Sequence, residues 1–191
     1  MTGCTKRIKT FRFISDKMDR KTVGGERPPL WYLRGRITMT PRRILVATDF
    51  SECSKDAIDS AARLAACFSA ELFLLHVFEP PFYTLEGREI SIHPEVDRWV
   101  RELREKESKK LDGEVEAVKR QGVDVRSYFK EGSPLVEILK VAEEVGADLI
   151  VLGTHGRTGM DRFVMGSVAD RVTRKAPCSV LVVREKRPAG G

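Results

Sequence analysis

The chain has 191 residues, of which 41% are hydrophobic and 32% charged, a composition typical of a soluble globular protein with one ordinary domain. No apolar run approaches the roughly 20 residues that a membrane-spanning helix needs. The N-terminus also lacks the apolar core of a secretory signal peptide. These features exclude an integral membrane protein and predict a cytoplasmic location without membrane association.

The net charge of +6 is confined to one end of the chain. Residues 1–40 carry ten basic and three acidic side chains, whereas residues 41–191 carry 24 basic and 25 acidic ones. The nearly neutral body therefore lacks the electrostatic signature of a nucleic-acid-binding domain. We predict that residues 1–40 form a disordered basic extension and that residues 186–191 form a flexible tail. Because Met39 precedes the first patterned segment, the extension could also be an over-long gene start or a targeting segment.

From residue 43 onward, short apolar runs rich in branched side chains alternate with helical patterns. The runs predict five buried strands: Ile44–Ala47, Leu72–Val77, Val123–Tyr128, Leu149–Leu152 and Ser179–Val183. The helical patterns predict four helices, with apolar spacing over 57–68, over 99–118 and over 135–142, and a short helix over 167–175. Alternation of this kind is typical of β-α-β units that form a parallel sheet covered by helices on both faces.

A glycine-rich segment follows the fourth predicted strand. Two residues separate Gly153 from Gly156. Nine residues then separate Gly156 from Gly166 and Ser167, where the last helix begins. Glycines let the backbone approach an anion closely, and the N–H groups at a helix N-terminus attract phosphate. The spacing therefore favours phosphate binding, with Ser167 as phosphate ligand or N-cap and Asp170 at capping-box spacing. The alternative is an ordinary glycine-rich turn.

Two polar residues, Thr48 and Asp49, end the first predicted strand. In doubly wound sheets, ligands bind beyond the carboxyl ends of strands, where the strand order reverses. If the first and fourth strands are neighbours, Asp49 and Gly153 face one crevice. Asp49 could then accept a hydrogen bond from ribose or adenine, and Thr48 could contact a metal ion. Alternatively, Asp49 and Ser51 cap the following helix, and both functions can coexist.

At these residues the sequence resembles the universal stress protein family. The matching stretches are residues 44–51, 74–77, 147–159, 166–170 and 176–183, so that the resemblance covers about residues 41–185. It implies one α/β domain with a three-layer, open, parallel five-stranded sheet in the order 3-2-1-4-5. This is the Rossmann-like fold of the adenine-nucleotide alpha-hydrolase type. The complete G-x2-G-x9-G-[ST] spacing is that of the ATP-binding subgroup.

The resemblance also implies a site for ATP, accompanied by Mg²⁺. Nine residues match it: Thr48, Asp49, Val77, Gly153, His155, Gly156, Gly166, Ser167 and Val168. Asp49 would contact the adenosine, Thr48 would line the phosphate or metal side, and Val77 would pack on the adenine. His155 could approach a phosphate or face solvent.

The glycine segment would then surround the rest of the nucleotide. Gly153 and Gly156 would lie against the ribose and phosphates, while Gly166 and Ser167 would hold the phosphates beside the amide of Val168. No certain metal ligand and no catalytic residue follow from the sequence. It contains no GxxxxGK[ST] phosphate loop and no lysine within the glycine motif, so that any ATP hydrolysis should be slow.

The resemblance further implies a homodimer in which the terminal strand, residues 179–184, pairs with its own copy. The apolar composition of this strand supports the dimer independently, since it would otherwise be an exposed edge. The favoured hypothesis is a dimeric, ATP-binding regulatory module of the stress response, with unidentified protein partners. One alternative is a slow ATPase or self-phosphorylating enzyme. Another is a nucleic-acid-associated protein that acts through its basic extension.

Overall fold

The computed structural model describes residues 40–80, 94–154, 156 and 165–184. Strands and helices alternate along this part of the chain. In chain order they are β1 (Arg43–Thr48), α1 (Glu52–Phe68), β2 (Glu71–Phe78), α2 (Pro94–Lys119), β3 (Val125–Glu131), α3 (Pro134–Val145), β4 (Leu149–Gly153), α4 (Ser167–Lys175) and β5 (Ser179–Val183).

The five strands form one parallel sheet in the order β3-β2-β1-β4-β5, which confirms the predicted fold. Val46 of β1 lies between Leu74 of β2 and Val151 of β4. The strands β2 and β3 therefore extend the sheet on one side of β1, whereas β4 and β5 extend it on the other side. This reversal between β1 and β4 opens a crevice at the carboxyl ends of the two central strands.

Alternate side chains of the central strands enter two separate cores. Ile44 and Val46 face helices α1 and α2, and both are completely buried. Leu45, between them, faces α3 and α4 and is equally buried. Both faces of the sheet are thus covered, which explains why the strands read as continuous apolar runs rather than as alternating ones.

Local signals set the ends of the helices. Ser51 caps α1, because its hydroxyl accepts a hydrogen bond from the amide of Ser54 at 3.2 Å. Helix α3 begins with Pro134 and ends before Gly146, as predicted, although the side chain of Ser133 makes no capping bond. The third strand begins two residues later than predicted, at Val125, and continues to Glu131.

Several predictions concern residues outside the described part of the chain. They include the basic extension, apart from residue 40, and the tail over 186–191. They also include His155. Within the described residues, no helix has the length and apolar character required to span a bilayer.

Two glycines provide a matched test of the helix geometry. Gly146 has a φ of +60°, and a methyl group there would lie 2.9 Å from Nη1 of Arg43. Gly113 lies inside α2, and a methyl group there would meet nothing within 4 Å. We expect Gly146→Ala to lower the free energy of unfolding by about 1 kcal/mol, and Gly113→Ala to raise it by about 0.5–1 kcal/mol. Urea unfolding followed by circular dichroism measures both free energies of unfolding. Equal stability of the two variants would contradict the left-handed conformation of Gly146 and the helical one of Gly113.

Candidate functional site

A cavity of about 550 Å³ lies at the carboxyl ends of β1, β2 and β4, beside the N-terminus of α4. It is lined by every described residue that the sequence assigns to the site: Thr48, Asp49, Val77, Gly153, Gly156, Gly166, Ser167 and Val168. The structure therefore brings together residues separated by up to 120 positions in the sequence. His155, the ninth predicted residue, lies outside the described part of the chain.

The carboxylate of Asp49 occupies the crevice between β1 and the glycine segment. Its Oδ1 accepts hydrogen bonds from the amide and the hydroxyl of Ser51, at 3.1 and 2.6 Å. Its Oδ2 lies against Gly156, where an added methyl group would be only 2.7 Å away. Asp49 thus orients Ser51, the cap of α1, while its second oxygen is held at the glycine segment. The two functions considered for this residue are compatible.

Gly153 and Gly156 are glycines for different reasons. A methyl group on Gly153 would lie 3.0 Å from the carbonyl carbon of Cys53, at the start of α1. Gly153 therefore allows β4 to pack closely on α1, which is a structural requirement apart from any ligand. The space beside Gly156 is bounded instead by the carboxylate of Asp49. Of the two, Gly156 is the glycine whose missing side chain shapes the cavity.

Three backbone amides at the N-terminus of α4 have no acceptor within the helix. Gly166 is the N-cap, and its own amide donates to the carbonyl of Thr154 at 2.7 Å. The next three amides, those of Ser167, Val168 and Ala169, precede the first hydrogen bond of the helix, so they have no intrahelical acceptor. All three residues line the cavity. Such a group of amides, together with the helix dipole, is suited to bind an anion.

The predicted capping box at this helix is wrong. Ser167 is the first helical residue rather than the N-cap, because Gly166 occupies the N-cap position. The carboxylate of Asp170 contacts the guanidinium of Arg174, at 3.1 Å for both oxygens, one turn further along the helix. Spacing alone could not separate these arrangements, since an i,i+4 ion pair competes for the same carboxylate.

Thr48 contributes a buried hydroxyl to the wall of the site. This hydroxyl accepts a hydrogen bond from the amide of Phe50 at 3.0 Å and contacts Oγ of Ser54 at 3.1 Å and Oε1 of Glu114 at 3.4 Å. The residue is 5% exposed. The metal contact of Thr48 stays a prediction. No group of three or more His, Cys, Asp or Glu side chains suited to a metal occurs in the described part of the chain.

Glu114 on α2 was not predicted as a site residue, yet it lies behind Thr48. Burial raises the pKa of its carboxyl group, and the nearby charge of Asp49 acts in the same direction. The hydrogen bond with Thr48 and the charges of Lys55 and Lys110 oppose this shift. Its Oε2 is buried without a hydrogen-bond partner among the described residues. The carboxylate form is therefore poorly solvated in this position.

His76 is a buried histidine, and both of its ring nitrogens have hydrogen-bond partners. Nδ1 lies 2.9 Å from the carbonyl oxygen of Thr48, and Nε2 lies 3.0 Å from Oε2 of Glu107. The partner Glu107 was missed, because the charged run on α2 reads as a solvated helix face. The spacing did contain a signal, since Glu107 lies four residues from both Leu103 and Leu111 on the buried side of the helix.

Apolar side chains form much of the cavity lining: Ala47, Val77 and Leu152 from the sheet, and Pro134 and Ile138 from α3. The strand order places Val77 of β2 on one side of Asp49, which follows β1, and the glycine segment after β4 on the other side. A ligand that spans these strand ends would therefore suit the cavity with an apolar part beside Val77, a hydrogen-bonding group at Asp49 and an anionic part at the start of α4.

The raised pKa of Glu114 leads to a test of stability against pH. A carboxyl group with a higher pKa in the folded state destabilises the protein at every pH above its unfolded value, near 4.5. Glu114→Gln should therefore raise the free energy of unfolding at pH 7, and this gain should shrink as the pH falls toward 4.5 and nearly vanish below it. Thermal unfolding at pH 7 and pH 4 measures it. Substitution of the exposed residue Glu105 by Gln is the control. If Glu114→Gln lowers the stability at pH 7, the raised pKa of Glu114 is contradicted.

Comparison with known proteins places this geometry in a family. Residues 40–184 match the sequence pattern of the universal stress protein family. The chain is 35% identical over 150 residues to universal stress protein MJ0531 of Methanocaldococcus jannaschii, covering 76% of this chain and 84% of that protein. It is 34% identical over 145 residues to universal stress protein YxiE of Bacillus subtilis, covering 74% and 98% of the two chains.

Solved structures agree with the sequence comparison. Protein MJ0577 of M. jannaschii, a universal stress protein, has a TM-score of 0.62 and 30% identity, with coverage of 78% of this chain and all of that one. A universal stress protein crystallised in complex with cAMP shares the fold at a TM-score of 0.54 and 23% identity, covering 76% of this chain and 98% of that one. With the matched region spanning residues 40–184, the chain belongs to the universal stress protein family.

Proposed function

We propose that this protein is an ATP-binding regulatory protein of the stress response. The observation that carries the proposal is the shape of the cavity. Val77 on β2, Asp49 after β1 and the start of α4 beyond β4 line it in that order, and three amides of α4 have no acceptor within the helix. An adenine nucleotide has three matching parts in the same order: a flat base, a hydroxyl-bearing ribose and phosphates.

In this proposal, the adenine packs on the apolar lining beside Val77 and Ile138. Oδ2 of Asp49, which lies against Gly156, accepts a hydrogen bond from the ribose. The phosphates lie at the start of α4, where Gly166, Ser167 and Val168 offer backbone donors and the hydroxyl of Ser167 adds a further one. The volume of about 550 Å³ is within the usual range for small-molecule sites.

The choice of ATP among the adenine nucleotides rests on the complete glycine spacing and on the anion site. A helix N-terminus with three amides that have no acceptor within the helix favours a ligand with several phosphate charges. Mg²⁺ would accompany the nucleotide through its phosphates and water.

A regulatory role is favoured over catalysis by the way Asp49 is held. One of its oxygens already binds two donors from Ser51, which gives the carboxylate a positioning task rather than that of a general base. A slow ATPase is the alternative, and it predicts Mg²⁺-dependent phosphate release. We also propose a cytoplasmic location for the protein, where ATP is abundant.

The two edges of the sheet support a homodimer through the last strand. The exposed edge strand β3 carries charged side chains, including Arg126, Lys130 and Glu131, which discourage pairing with another strand. The opposite edge strand β5 consists of Ser179 followed by four apolar residues. We propose that a second copy pairs along residues 179–184 and covers this apolar edge.

Gly156 provides the sharpest test of the nucleotide site. Gly156→Ala places a methyl group 2.7 Å from Oδ2 of Asp49 and must displace that carboxylate. We expect the affinity for Mg-ATP to fall at least about tenfold, equivalent to about 1.4 kcal/mol. Titration calorimetry measures it, and Gly113→Ala, which meets nothing within 4 Å, is the matched control. Unchanged affinity in Gly156→Ala, or no binding by the wild type, would refute the site. Phosphate release in the same samples tests the ATPase alternative.

The dimer is tested at its proposed strand. Val182→Lys places a charge on the apolar edge of β5 and should convert a species of twice the 21.5 kDa chain mass into a monomer. Ser127→Lys, on the exposed edge strand β3, should leave the mass unchanged. Size-exclusion chromatography with light scattering gives the masses, and thermal unfolding confirms that both variants are folded. A dimer that persists in folded Val182→Lys would exclude this interface.

A further inference from the structure

A buried acid–histidine pair lies in the wall of the candidate nucleotide site. His76 is 1% exposed and Glu107 is 5% exposed, although one comes from the strand β2 and the other from the helix α2. Both residues reach the wall of the cavity. A buried pair of this kind contributes little net stability in general, because desolvation offsets the attraction between its members. The position of the pair beside the site therefore indicates a function other than stabilisation of the fold.

The contacts of the pair fix the arrangement of its protons. The carbonyl oxygen of Thr48 can only accept a hydrogen bond, so Nδ1 of His76, 2.9 Å away, carries a hydrogen and donates it. Nε2 and Oε2 of Glu107, 3.0 Å apart, then share one proton. Glu107 thereby fixes the orientation of the ring, and the ring directs its Nδ1–H toward the last peptide group of β1.

A second contact joins His76 to the same turn. Phe50 has a φ of +66°, a left-handed conformation that is uncommon for a residue with a side chain. Its ring lies on that of His76 with the centroids 4.2 Å apart, and its amide donates to the hydroxyl of Thr48. His76 therefore holds both the residue before Asp49 and the residue after it. Strained turns of this type persist where the surrounding contacts determine them.

We infer that the Glu107–His76 pair is a positioning device of the candidate site: by holding Thr48 and Phe50, it sets the direction in which Asp49 presents its carboxylate. Neither member touches the ligand in this account. The inference rests on the proposed function in so far as the ligand of Asp49 is an adenine nucleotide. It assigns His76 and Glu107 as positioning residues.

The test compares two substitutions of Glu107. Gln can donate its amide to Nε2 and so retain the ring orientation, whereas Leu fills the space without a hydrogen bond. We expect Glu107→Leu to weaken Mg-ATP binding about tenfold, or about 1.4 kcal/mol, and Glu107→Gln to remain near the wild-type affinity. Glu105→Gln, an exposed residue of the same helix that pairs with Lys109, is the control.

Measurements without nucleotide separate this inference from the proposed function. In ¹⁵N NMR spectra of the free protein, Nδ1 of His76 should be protonated, and the amides of Asp49 and Ser51 should shift in Glu107→Leu but not in Glu107→Gln. An unprotonated Nδ1 in the wild type overturns the inference even if a variant fails to fold. Unchanged ATP affinity in folded Glu107→Leu also overturns the inference. An equal loss of ATP affinity in Glu107→Leu and Glu107→Gln does the same. If the wild type binds no ATP, the proposed function fails, while the amide shifts still test the positioning.

Discussion

The close approach of the Asp49 carboxylate to the backbone at Gly156 is the contact on which the candidate site depends. It requires a residue without a side chain at position 156, since a methyl group there would lie 2.7 Å from the carboxylate. It also requires β1 and β4 to be neighbours at the point where the strand order reverses. Local sequence supplies the first condition and the topology of the sheet supplies the second.

The same topology explains why one cavity joins such different surfaces. Helices cover both faces of the sheet, and the cavity lies at the carboxyl ends of the central strands. There the apolar side chains of the strand ends meet the start of α4, whose first amides have no acceptor within the helix. The amide of Gly166 donates to the carbonyl of Thr154, and the amide of Thr154 donates to the carbonyl of Val183, which connects this helix start with the edge strand β5. The candidate ligand site and the proposed dimer strand thus share one segment of backbone.

Most of the fold could be predicted from the sequence, because buried parallel strands have short apolar patterns that differ clearly from helical spacing. The strand order followed from the family resemblance rather than from the periodicity. The grouping of Asp49 with the glycine segment was predictable as well, since both follow strands of one parallel sheet. What spacing could not predict was the choice between competing partners for one side chain. Asp170 pairs with Arg174 instead of capping α4, and the hydroxyl of Thr48 accepts a hydrogen bond from the amide of Phe50 within the turn. The burial of Glu107 was missed because, in the sequence of a highly charged helix, a single buried glutamate looks the same as its solvated neighbours.

The most direct test of the nucleotide site is an NMR titration of the ¹⁵N-labelled protein with Mg-ATP. Binding in the cavity predicts saturable shifts concentrated at the amides of Asp49, Gly156, Ser167 and Val168, with the far ends of the strands unaffected. Saturable binding with shifts elsewhere would show that the nucleotide uses another surface. An absence of shifts at millimolar nucleotide would show that the cavity does not bind ATP, and would leave its glycine segment as a structural turn.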